Sequence, residues 1–378
     1  MGGRAAAPGR RSGLELMRIL LMLLIIAHHY VVNSGVTALF PQDGVTPSSA
    51  FLVFFGMWGK VAINSFVMIT GYFMCTSRLT WVKVARLLGV VYFWKVLLDA
   101  AFLATGFEDV GDVLRNVVGP FRNIDNGFTA SFLVMYCMIP FLNRLLSALD
   151  KGGLRRLLGL LLFVFTFCTT FLAAPAAFSE VGWYCTLYLL AAYVRLYPAR
   201  WFGDLRATGR LLAACAALSV LSVAAMTALD AALGVPPLGH AYYFVNDSGK
   251  LMAFLTGAAA FLFFKNLDIG VNGAVNAVSA TVFGVLMIHA NSDAMRAWLW
   301  GDLVDVPGLY GALPTPLLIL ASCGVVLAVF AVCSAMDALR IRLVERPLFA
   351  WVGENRGRIE GAFRERTAGL RAWADRAL

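Results

Sequence analysis

Charge is what this sequence lacks most. Asp, Glu, Lys and Arg make up 14% of its 378 residues, against 60% hydrophobic side chains. Soluble domains run near about 25% charged and about 45–50% apolar, so a soluble enzyme, a disordered chain and a fibre are all excluded. Histidine is scarce too, with four residues. The seven cysteines stand singly, with no CxxC and no Cys/His cluster at metal-ligand spacing. They read as small buried hydrophobes, and no metal is expected. There is also no low-complexity tract and no repeat of fixed period.

What fills the chain instead is a series of apolar runs. Uncharged or nearly uncharged stretches lie near 19–38, 61–77, 81–104, 126–143, 157–179, 181–194, 211–229, 251–264, 269–288 and 306–336. At about 20 residues per span, they predict an all-α, polytopic integral membrane protein of about ten transmembrane helices. No stretch is left over for a separate soluble catalytic domain. The opening MGGRAAAPGRRSGLELMR looks a little like a signal peptide. The run after it is too long and has no small-residue cleavage site before His28, so it reads as the first helix. The expected division is a cytoplasmic segment at 1–13, a membrane domain at 14–338 and a basic, amphipathic cytoplasmic tail at 339–378. The tail has the alternating charge of a helix lying on the inner leaflet.

The net charge of +9 invites a nucleic-acid partner, but its distribution excludes one. All but six of the 31 Lys and Arg fall in the terminal segments and alternate loops that ten spans place on one side. The six are Lys60, Lys95, Arg115, Arg122, Lys250 and Arg296. This is the positive-inside asymmetry. It predicts a multi-pass protein of the cytoplasmic membrane with both termini cytoplasmic and lipid as its surroundings.

A charge at the centre of a span costs about 2.5–3.5 kcal/mol even on the lenient scale, so polar residues inside the apolar runs are functional candidates. Arg18 and His29 are eleven residues apart, about 20° from alignment on one helix face and about 16.5 Å apart along the axis. His28 falls about 80° off that face. The pair can hold a long anionic ligand with its reactive end at the histidine, or be a snorkelling arginine and a bonded histidine. Lys83 and Arg86 are neighbours on the third helix, either phosphate ligands or positive-inside anchors. Lys95 and Asp99, at i and i+4, read as a self-neutralising pair. His289, Asn291, Asp293 and Arg296 form a second polar cluster, with His289 and Arg296 about 20° apart on one continuous helix.

At this point the residues resemble those of the membrane-bound acyltransferase 3 family. The first helix, LELMRILLMLLIIAHHY, has the family's Arg, ten residues, then His, at Arg18 and His29. NSFVMITGYFM at 64–74 looks like its second-helix signature and is followed by K/R-x-x-R at Lys83 and Arg86. FLVMYCMIPFLNRLL at 132–146 and FGVLMIHANSDAMRAWLW at 283–300 are similar to the Gram-positive branch, with His289 and Asn291 on a recurrent His-x-Asn. The resemblance covers roughly 14–346. Two departures stand out. Gly127, Phe128 and Phe132 occupy the region where related chains often carry a Trp and a Tyr, and the extracellular esterase-like domain of some members is absent.

The resemblance implies a membrane O-acyltransferase. Its donor would be a cytoplasmic acyl-CoA, acetyl or succinyl, acting as substrate with no separate cofactor. Its acceptor would be a hydroxyl of a cell-surface glycan or a lipid-linked precursor. Arg18, helped by Lys83 and Arg86, would hold the CoA phosphates through bidentate guanidinium contacts. His29 would be the general base, and Asn33 or Asn64 would polarise the thioester carbonyl. The competing reading is a transporter or flippase that makes no bond. Against it, no pair of Gly/Pro-interrupted helices occupies matching positions in two halves.

Overall fold

The computed structural model describes residues 12–40, 45–125, 127–172, 179–234, 240–362 and 365. Arg4, Arg10 and Arg11, the Pro236–Pro237 pair of the outer loop and the last part of the tail lie outside the described residues. Among those described there is no strand, and the fold is a helical bundle. In chain order its α-helices are α1 (Ser12–Val32), α2 (Pro47–Gly56), α3 (Gly59–Met74), α4 (Trp81–Thr105), α5 (Val110–Arg122) and α6 (Phe128–Ala148). These are followed by α7 (Lys151–Leu162), α8 (Thr169–Phe171), α9 (Glu180–Leu196), α10 (Leu205–Ala232), α11 (Leu251–Asn266) and α12 (Gly273–Ser279). The last are α13 (Val282–His289), α14 (Asp293–Ala297), α15 (Val306–Ala312), α16 (Thr315–Arg340) and α17 (Arg346–Glu354).

Seven helical stretches among the described residues are long and apolar enough to cross a membrane, and a bent pair brings the number to as many as eight. That pair, Gly273–His289 and Asp293–Ala312, is broken by 95°. Each of the ten apolar runs overlaps one or more helices among the described residues, but α9 and α11 have only 17 and 16 residues. A span needs about 20 residues unless the bilayer thins or neighbours compensate. Hence the count by length and apolarity falls short of ten.

The helices begin where side chains can satisfy free backbone N–H groups. Thr46 and Ser49 form a capping box ahead of α2, with Pro47 at the first turn. Asp109 and Asp112 do the same for α5, and Asp204 caps α10 by accepting from Arg206 and Ala207 at 2.8 and 3.0 Å. At the centre of the bundle α3 packs against α1, α9 and α11. Its core is a contiguous apolar cluster that includes Met17, Ile26, Tyr30, Met68, Trp183 and Phe261. The cysteines are less uniformly buried than the sequence predicts. Cys215 and Cys333 are buried, but Cys137 and Cys323 are exposed.

Candidate functional site

The last turn of α1 presents His28 and His29, and two backbone carbonyls fix the protons of the rings around them. A carbonyl can only accept, so a ring nitrogen bonded to one must carry hydrogen. His289 Nδ1–H therefore donates to the Val285 carbonyl at 2.6 Å. Neither His29 nor His289 is bonded to a carboxylate among the described residues, and a charged ring without a partner is costly in such a place. In the neutral form His289 Nε2 is an acceptor, and His29 Nδ1–H donates to it at 3.0 Å. The remaining nitrogen, His29 Nε2, keeps its lone pair. His289 is fully buried, whereas the His29 ring lines a cavity of about 630 Å³.

His28 lines the same cavity, although it falls about 80° off the helix face shared by Arg18 and His29. Its Nδ1–H donates to the carbonyl of Gly56 at 2.6 Å. One turn further, Gly59 lies so close to the His28 ring that a Cβ there would overlap it. Glycine is what lets α3 begin against α1 at this point. The next residue, Lys60, lines the cavity and has no hydrogen-bond or ion-pair partner among the described residues. Neither Lys60 nor His28 was singled out as a site residue from the sequence; the signal available for Lys60 was a cation inside an apolar segment.

The far wall comes from the break between α13 and α14. The break overturns the expectation that His289 and Arg296 share a face of one continuous helix: they stand on two helices with a sharp bend between them. Ser292 caps α14 by accepting from Met295 N–H at 3.1 Å. Asn291 and Arg296 nonetheless both reach the cavity, as does Asn33. Asn291 donates to the Met287 carbonyl at 3.2 Å and leaves its Oδ1 buried without a partner. Arg296 pairs with Asp293 at 2.7 Å, and its Nε is buried without a partner.

Lys95 and Asp99 do not form the direct pair that their spacing predicts. Lys95 Nζ donates instead to the Asn291 carbonyl at 3.2 Å, tying α4 to the break. Asp99 is fully buried and accepts from Asn116 Nδ2 at 3.4 Å, while the same amide donates to Glu108 at 2.9 Å. Asn116 belongs to α5, which closes one side of the cavity with Arg115, Gly119 and Pro120.

The other expected ligands lie elsewhere. Asn64 is fully buried, donates to the Ser248 carbonyl at 2.8 Å and accepts from Trp183 Nε1 at 2.9 Å. It does not line the cavity. Both ends of its amide are hydrogen-bonded to groups outside the cavity lining. Arg18 shares α1 with His29 but also lies off the cavity lining; it pairs with Glu15 at 3.3 Å, and Glu15 accepts from Ser279. Lys83 Nζ donates to the Arg78 carbonyl at 2.9 Å. Arg86 pairs with Glu345 at 3.3 Å and lies over the Phe349 ring at 4.8 Å. Arg86 is thus held against the start of the tail, whereas Lys83 is held by the loop that precedes its own helix. From Glu345 the network runs to Arg340 at 2.8 Å and on to buried Asp337 at 2.6 Å, which also accepts from Trp94 Nε1 at 2.7 Å.

No group of three or more His, Cys, Asp or Glu is placed to hold a metal ion among the described residues. The family model described as an acyltransferase domain, Acyl_transf_3, matches residues 11–335. No curated protein matches the chain, and no solved structure does.

Proposed function

The chain belongs to the acyltransferase 3 family, and on that premise we propose that it is a membrane O-acyltransferase using cytoplasmic acyl-CoA. Acetyl and succinyl are the expected acyl groups, and a hydroxyl of a cell-surface glycan or lipid-linked precursor is the expected acceptor. Ten spans in the cytoplasmic membrane, with both termini inside, belong to the same proposal. The observation that carries it is the proton order at the histidines. His289 takes the Nδ1 hydrogen bond of His29, so Nε2 of a cavity-lining ring is left as a base.

In this reading the acceptor hydroxyl enters the cavity and gives its proton to His29 Nε2 as its oxygen attacks the thioester carbonyl. His29 then returns the proton to the departing thiolate. Arg18, about 16.5 Å down the same helix, would meet the phosphate end of an extended pantetheine arm. To bind phosphate there, Arg18 exchanges Glu15, and Arg86 exchanges Glu345, for a phosphate oxygen. Asn33 and Asn291 are among the cavity-wall amides that suit an acceptor rich in hydroxyls.

One observation favours the transporter reading: a span broken by 95° borders the cavity, and broken helices are how many transporters build a site at mid-membrane. Everted membrane vesicles supplied with [14C]acetyl-CoA or [14C]succinyl-CoA separate the two. Label that enters vesicle lipid or glycan in the wild type, but not in His29→Ala, supports acyl transfer. No acyl-CoA consumption, with movement of unmodified glycan across the membrane, supports transport.

A further inference from the structure

Lys60 stands near the middle of the 28-residue apolar span Pro47–Met74. An ammonium inside a span is expected to be paired, or else to face a water-filled or functional cavity. Lys60 has no partner among the described residues and lines the cavity. The other cations of that cavity are committed. Arg115 pairs with Asp112, Arg296 with Asp293, and Lys95 with the Asn291 carbonyl. The nearby cavity carboxylate, Glu180, accepts from Ser131 at 3.0 Å and makes no ion pair with Lys60.

The position of Lys60 is set by contacts that also set the histidines. His28 is bonded to the Gly56 carbonyl and packed on Gly59, so the backbone entering α3 is pinned to the histidine turn of α1. Lys60 lines one cavity with His28, His29 and Glu180. Lys60 is thus a cavity cation with no hydrogen bond or ion pair among the described residues, and it lines the same cavity as the His29 ring, whose Nε2 keeps its lone pair.

We infer that Lys60 is a catalytic residue whose ammonium holds the negative charge that develops on the acyl carbonyl oxygen during transfer; this rests on the acyl-transfer reading above. The step balances as follows. The acceptor oxygen forms a bond to the carbonyl carbon as its proton passes to His29 Nε2. The carbonyl π electrons move onto oxygen, opposite Lys60. When the C=O bond re-forms, the C–S bond breaks, and the leaving thiolate takes the proton back from His29. A preorganised cation in a site of low dielectric stabilises such an oxyanion far more than water does.

The test uses the full chain in everted vesicles supplied with [14C]acetyl-CoA, comparing wild type, Lys60→Met, Lys60→Arg and His29→Ala. Removal of one oxyanion-stabilising group costs about 10²–10³ in kcat. The expected result is that Lys60→Met loses that much maximal rate with the KM for acetyl-CoA unchanged, and that Lys60→Arg recovers part of the loss. Thermal stabilisation of the purified Lys60→Met protein by CoA is expected to match wild type, which shows that the variant folds and binds donor. A Lys60→Met protein that keeps more than a tenth of the wild-type maximal rate overturns the inference. So does one that changes KM alone, or a folded Lys60→Arg no faster than Lys60→Met. Wild-type vesicles that consume no acyl-CoA instead remove the acyl-transfer reading itself. Active Lys60→Met beside inactive His29→Ala removes only the role of Lys60.

Discussion

His29 and His289 lie 260 residues apart in the chain and meet through one hydrogen bond of 3.0 Å, Nδ1 to Nε2. His289 is oriented in turn by the Val285 carbonyl one turn back on its own helix. Because His289 does not line the cavity, it is expected to act through His29, as a positioning residue. His289→Ala is expected to lower kcat by on the order of 100-fold through misorientation of the base. His289→Gln, whose carbonyl can still accept from His29, is expected to recover part of that. The pH–rate profile is the discriminating measurement, since loss of packing alone would leave its shape unchanged.

Asn64 is predicted to matter for stability and not for chemistry. Asn64→Ala leaves the Trp183 N–H and the Ser248 carbonyl unpaired in the core, and each orphan costs about 1–3 kcal/mol. The variant should melt well below wild type in detergent, while the acyl transfer per folded molecule stays near the wild-type value. A fall in rate with the melting temperature intact would return Asn64 to the site.

Gly284 is predicted to tolerate no larger side chain. A Cβ at this position would fall onto the carboxylate of Asp337, which accepts from both Arg340 and Trp94. Overpacking costs about 1–3 kcal/mol in an ordinary core, and here the atoms displaced are those of a buried ion pair. Gly284→Ala should lower the melting temperature clearly, while Gly324→Ala on α16, with open space around its Cβ, should not.

Acid should weaken the start of α10. The N–H groups of Ala207 and Arg206 hold the Asp204 carboxyl below the usual carboxylate range. A lowered native value means that the charged cap stabilises the fold above about pH 4, the unperturbed value for Asp. That contribution is lost as pH falls through the lower native value. Asp204→Ala should therefore melt below wild type at pH 7, with the gap closing toward pH 3.

The helical fold and its apolar runs were legible because a span must satisfy its own backbone and bury no charge, which leaves a plain pattern in the residue order. Arg18 and His29 on one helix and the polar cluster near residue 290 were legible for the same reason. The bend between His289 and Asp293 was not. Nothing in HANSDA announces a break as Gly or Pro would, and Ser292 reads as a cap only once the helix is known to stop. Asn64 was assigned to the site because a polar side chain in an apolar helix has two readings. Deciding between them needed partners 119 and 184 residues away. Lys60 was passed over because its significance lies in the crossing of two helices at Gly59, which no single-helix periodicity contains.

The two sides of the cavity differ in what they allow to vary. On one side the histidine turn, Gly56, Gly59 and the end of α13 are tied by short hydrogen bonds and a contact that admits only glycine. On the other, α5 has a single buried residue, Pro120, and turns Val110, Leu114 and Phe121 outward. Few buried contacts mean a low local cost of rearrangement. Relatives that modify different acceptors are thus expected to diverge along α5 and in the 123–129 segment, while the histidine side stays fixed. A library built to redirect this protein to a new hydroxyl belongs in those residues.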